Sequence, residues 1–93
     1  MSTKAEKAHM GRVAAMGCVL CRLLGVPQES KTDVHHIREG QGMAQRASNW
    51  LVIPLCHSGC HQGPCGIHGD RSLLRIAKVD ELDLLALTIQ ELA

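Results

Sequence analysis

A chain of 93 residues with five cysteines, six histidines, one tryptophan and no phenylalanine or tyrosine is too short and too poor in large side chains to rest on a hydrophobic core alone. The odd cysteine count and the lack of an apolar leader after Met1 argue against a secreted disulfide framework, and no apolar run approaches a membrane span. Net charge is only +1, yet residues 1–78 carry ten Lys/Arg against five Asp/Glu, while residues 79–93 carry four acids and no base. Such a distribution suits a nucleic-acid-facing body with an acidic helical back.

In chain order, residues 4–16 are rich in good helix formers and predict a helix stopping near Gly17, with Ala8, Val13, Ala14 and Met16 as its contact residues. Its apolar side is thin, so it is expected to lie on the domain. Cys18-Val19-Leu20-Cys21 follows as a tight chelating turn, and Gly25-Val26-Pro27 opens a loop. Thr32–Ile37 reads as a short strand by its β-branched content, Arg38–Ser48 as a loop, and Trp50–Leu55 as a second strand with Pro54 at its end or edge. An antiparallel hairpin with a long loop is expected. A short helical turn follows, interrupted at Gly63-Pro64. Asp70 is placed to cap a helix over Arg71–Lys78, and Asp80, with Asp83 behind it, to cap a last helix. These two helices are expected to make core and carry no chemistry. The predicted fold class is α+β: one zinc-stapled domain over 1–93, comprising a helix at 4–16, a ββα core at 17–69 and helices at 70–92.

The densest chemistry lies in Cys56–His68, C-H-S-G-C-H-Q-G-P-C-G-I-H, with three cysteines and three histidines in thirteen residues. One buried cysteine or a lone histidine needs no metal, but two such clusters with the doublet His35-His36 between them exceed what one tetrahedral ion can use. The simplest partition gives Cys18, Cys21, Cys56 and Cys60 to a structural zinc and His35, His61 and His68 to a second divalent ion. Cys65 is the spare thiol and the competitor of Cys60 for fourth ligand; His9 and His57 are assigned to the surface. Neighbours on a strand point to opposite faces, so His36 stays free of the ion that His35 binds. A histidine free of metal and titrating near neutrality suits a general base. Arg38 and Arg46, close behind the doublet, are the candidate phosphate contacts.

The succession H-H-I, I-P-L-C, C-H and a later histidine resembles the HNH (ββα-metal) endonuclease family. The fuller run H-H-I-R-E-G-Q-G-M-A-Q-R-A-S, with V-I-P-L-C and G-I-H-G, is similar to its phage and prophage recombination-enhancement (Ref-type) branch. The resemblance spans roughly Gly17 to Asp70. It implies cutting of DNA phosphodiesters with one divalent metal (magnesium, manganese or zinc), His35 as ligand, His36 as base, and His61 and His68 as the closing ligands. Three departures stand out: three residues between Cys56 and Cys60 where the common form has two, six between His61 and His68 where it has three, and Leu51 where the central Asn belongs. Asn49, two residues earlier and on the same strand face if the strand extends that far, is the candidate to brace the base.

The expected function is a small phage-encoded DNA endonuclease working in a bacterial cytoplasm. DNA is its partner, a recombination protein or filament a further candidate, and no membrane or small-molecule substrate is involved. A non-catalytic zinc adaptor is the rival from another class.

Overall fold

The computed structural model describes residues 2–39 and 47–93; Arg46 and most of the expected 38–48 loop lie outside them. Helix α1 runs Lys4–Ala15 and is closed by a capping box. The Glu6 N–H donates to Thr3 Oγ1 at 3.0 Å and the Thr3 N–H to Glu6 Oε1 at 3.2 Å, satisfying two otherwise orphaned donors. Val13 is its fully buried contact. Ala8 is exposed, contrary to expectation; His9 is buried instead, its ring 4.9 Å from that of Trp50 and its Nε2 3.2 Å from the Trp50 carbonyl.

The expected chelating turn at Cys18–Cys21 is the start of a second helix, α2 (Val19–Leu24). Cys18 occupies the N-cap and its Sγ accepts the Cys21 N–H at 3.3 Å, so one sulfur serves the helix end and the cluster together. Gly25 closes α2 at φ 73, a left-handed position in which glycine meets no Cβ penalty.

Strands β1 (Thr32–His36) and β2 (Val52–Cys56) pair antiparallel, with His35 opposite Ile53 and His36 opposite Val52. The second strand starts two residues later than predicted because Ser48–Leu51 forms a turn, with the Leu51 N–H on the Ser48 carbonyl at 2.9 Å; Trp50 and Leu51 stay exposed. Pro54 sits inside β2 rather than at its end, which a two-stranded sheet tolerates because every strand has a free edge.

After β2 the chain makes a wide π turn, His57–His61, where the Gln62 N–H reaches back to the His57 carbonyl at 2.9 Å. Helix α3 covers Ser72–Ala77, one residue short of the prediction at each end, because Arg71 and Lys78 adopt left-handed φ of 64 and 60. Asp70 still engages the helix start, accepting the Ser72 N–H at 2.9 Å. Helix α4 (Glu81–Leu92) has the expected Asp80 cap, and Asp83, expected only to favour the dipole, returns a bond to the Asp80 N–H to complete a capping box, with bonds of 2.8 and 3.0 Å. The core gathers Leu20, Ile53, Leu55 and Leu84 around the four buried cysteines.

Candidate functional site

Cys18 and Cys21 at the head of α2, Cys56 at the end of β2 and Cys60 in the π turn bring four buried sulfurs within 4.8 Å of one another. Cys21 Sγ lies 3.6 Å from Cys56 Sγ and 3.7 Å from Cys60 Sγ. A disulfide needs about 2.05 Å, whereas sulfurs around tetrahedral zinc at 2.3 Å stand about 3.8 Å apart. The spacing is that of a zinc tetrad. Hydrogen bonding from Cys60 draws the Cys18 thiol down to about 5. Burial and the Cys18 sulfur push Cys21 up to about 12, and Cys60 is pushed up first by its bond to Cys18. Crowded thiols oppose one another's ionisation, a conflict that a divalent cation removes. Cys65 is exposed and outside this cluster.

Across the π turn, His35, His61 and His68 form a second group, their rings 4.8–5.1 Å apart centre to centre. His35 is buried, whereas His68 is exposed. The six residues between His61 and His68 fold back as a compact loop, with the Ile67 N–H on the Cys60 carbonyl at 2.8 Å and the His68 N–H on the His61 carbonyl at 3.1 Å. Gly66 permits this approach, since a Cβ there would lie 2.5 Å from the Cys60 carbonyl oxygen.

His35 Nδ1 stands 3.1 Å from His61 Nε2, and each ring's other nitrogen meets a carboxylate. His35 Nε2 lies 2.7 Å from Glu81 Oε2, and His61 Nδ1 lies 2.8 Å from Asp33 Oδ2. Burial holds the His35 imidazole down to about 4 despite Glu81, so the ring is neutral near pH 7. Partial desolvation of its ring within the trio, and then His61, lower His68 although the residue is exposed. Burial raises the Asp33 carboxyl, but bonds from His61 and His57 outweigh it and hold the group below its ordinary range. A neutral imidazole has one N–H, which belongs on the carboxylate side. With both protons on that side, the lone pairs of His35 Nδ1 and His61 Nε2 would face each other at 3.1 Å, a pairing that a cation would convert into ligation. Nitrogens sharing a metal at 2.0–2.1 Å stand about 2.8–3.4 Å apart, from right-angle to tetrahedral geometry. The donor set therefore fits a divalent ion.

His36 turns away from this trio. Its Nε2 lies 2.9 Å from Asn49 Oδ1, and the Asn49 amide donates to Glu6 Oε2 at 2.9 Å and Ser2 Oγ at 3.0 Å. With Oδ1 so oriented, His36 Nε2 carries the proton and Nδ1 the lone pair. A cleft of about 250 Å³ is lined by His35, His36, His61, His68 and Arg38. An adjoining cleft of about 430 Å³ shares Arg38 and adds Arg71.

Sequence reasoning did not find Glu81, Asp33 or Glu6. Glu81 stands in a helix read as core only, yet it is 3 % exposed and takes, besides His35, the N–H groups of Arg38 (3.0 Å) and Glu39 (3.2 Å). His57 is exposed as expected, but its Nδ1 shares Asp33 Oδ2 at 2.6 Å. Asp33, His57 and His61 also converge, and His61 is common to both groups. An acid two residues before the histidine doublet was the available signal for Asp33. Glu81, 46 residues from its partner, gave none.

The fold and these clusters define a small α+β protein whose four grouped cysteines could hold zinc. The family described as recombination enhancement, RecA-dependent nuclease matches residues 2–92, and the chain belongs to it. No curated protein and no solved structure gives a match.

Proposed function

We propose that this chain is a single-domain, metal-dependent DNA endonuclease of HNH type, of phage or prophage origin, that acts in the cytoplasm of a bacterial host together with a RecA–DNA filament. Cys18, Cys21, Cys56 and Cys60 hold a structural zinc, and His35, His61 and His68 hold the reactive divalent ion. The observation that carries this reading is the divergence of the doublet: His35 joins the trio, while His36 lines the same cleft with its ring fixed by Asn49.

His36 Nδ1 takes a proton from a water molecule as that water's oxygen attacks the phosphorus, and the bond from phosphorus to the 3′-oxygen breaks. Asn49 holds the Nε2–H of the resulting imidazolium, and Glu6 holds the Asn49 amide in the orientation that allows it. The ion, when bound, supplies Lewis-acid stabilisation of the charge on the leaving oxygen and the phosphate. Arg38, shared by both clefts, and Arg71 contact phosphates beside the scissile one; Arg46 is kept as a further contact.

The test is nicking of supercoiled plasmid with Mg2+, Mn2+, Zn2+ or EDTA, each with and without RecA-coated single strand. Cutting that needs both a divalent ion and the filament is expected. No cutting in any lane, with one tight zinc bound, would return the protein to the class of zinc adaptors.

A further inference from the structure

The three histidines of the trio are not equivalent. His35 and His61 each have a carboxylate on the nitrogen that faces away from the other ring, at 2.7 and 2.8 Å, while His68 is exposed. We propose that Glu81 and Asp33 are positioning residues for the reactive ion: each fixes the tautomer of one ligand histidine, so that His35 Nδ1 and His61 Nε2 present lone pairs to a common point. This inference rests on the metal site proposed above and goes beyond it by assigning what makes that site bind.

The chemistry requires such a device. Imidazole in water favours its proton on Nε2, and that tautomer would block the nitrogen His61 offers. Asp33 Oδ2 reverses the preference by accepting at Nδ1. For His35 the carboxylate also fixes the ring's rotation, because Glu81 is itself held by the Arg38 and Glu39 N–H groups at 3.0 and 3.2 Å. Three imidazoles bring no charge to a divalent cation, so two carboxylates just behind them balance it without occupying a coordination position. The remaining positions stay open for water and phosphate. Asp33 Oδ2 also receives His57 Nδ1 at 2.6 Å, and Lys31 Nζ lies 4.0 Å from Asp33 Oδ1; neither is part of the trio.

The experiment uses full-length protein with zinc in its cysteine site. Co2+ is titrated and followed by visible d–d absorption, and histidine tautomers are read in the metal-free trio by long-range ¹⁵N–¹H NMR. Wild type is expected to show His61 protonated at Nδ1 and His35 at Nε2. Asp33→Ala should return His61 to the Nε2–H form and weaken Co2+ binding about 10–100-fold. Asp33→Asn, which keeps an acceptor oxygen, should recover part of the loss, and His57→Ala should bind like wild type. Glu81→Gln should weaken Co2+ binding similarly; if the lost backbone contacts unfold it, Asp33→Ala decides alone. Unchanged Co2+ affinity or an unchanged His61 tautomer in Asp33→Ala, with wild type cutting DNA, would overturn this inference and leave the nuclease standing. Loss of affinity as stated in a protein that cuts no DNA would do the reverse. A wild type that takes up no Co2+ beyond the zinc site would overturn both.

Discussion

His35 and His36 are adjacent in the chain, yet one is buried against Glu81 and the other is held by Asn49 through a bond of 2.9 Å. If His36 is the base, His36→Ala should lower nicking about 10²–10⁴-fold, the usual contribution of a general base. Zinc content should be unchanged, because His36 touches no cysteine of the tetrad. His61→Ala should also lower nicking, but through lost ion affinity, so millimolar Mn2+ should restore part of it and none of the His36→Ala loss. Equal cutting by His36→Ala and wild type would end the mechanism. At this scale the sequence showed residue types and spacing but not second partners. The alternation of a strand separates His35 from His36 without a structure. The hydrogen bonds from Asp33, Glu81 and Glu6 reach across 28, 46 and 43 residues, where no periodicity extends.

Helix α1 does more than cover the domain. Its Glu6 carboxylate is held below the ordinary 4.5 by the Thr3 N–H first and the Asn49 amide second. A folded-state value below the unfolded one means the folded chain binds fewer protons in that interval, so stability present above about pH 4.5 is lost as pH falls through it. Urea unfolding between pH 6 and 3 should show this acid loss, and Glu6→Gln should reduce it, leaving the share of Asp33 and Asp70. A second element-level prediction concerns α3, which ends at Lys78 with φ 60. Glycine suits that position without a Cβ penalty, so Lys78→Gly should raise unfolding free energy by about 1 kcal/mol. Loss of stability instead would mean the lysine side chain contributes a contact that outweighs its backbone cost. Both capping boxes lie at the starts of 12-residue helices; the sequence points to the Asp80 cap of α4 but to neither reciprocal bond. The helix at Cys18 was hidden because a cysteine is a rare N-cap, and its sulfur was read only as a ligand.

For the molecule as a whole, the four cysteines sit inside the core they organise, among Leu20, Ile53, Leu55 and Leu84. Structural zinc contributes roughly 10–16 kcal/mol of apparent binding energy in small zinc modules, comparable to a domain's entire stability. Chelation should therefore unfold the protein, with circular dichroism restored by Zn2+, and Cys60→Ser should lose the zinc while exposed Cys65→Ser keeps it. The opposite result would exchange their assignments. Replacing Arg38 by Ala should lower the slope of log affinity against log salt by about 0.9 for one phosphate; no change would mean that it only faces solvent. The α+β class, the hairpin and the grouping of the cysteines were legible because ligand spacing and strand composition are local signals. The acidic C-terminal segment was legible only as charge: Glu81 turns inward to the trio, and nothing local distinguishes it from Asp83.

The π turn at His57–His61 has a further meaning. A turn closed from residue i to i+5 holds one residue more than an α turn, and this chain places three residues between Cys56 and Cys60 where the resembling pattern has two. The wider loop accommodates the third residue while Cys56 and Cys60 stay in one cluster and His61 stays in the other. Lineages with the shorter spacing should then show an ordinary α turn at the same place, and an excision of Ser58 here should be among the few deletions this segment survives.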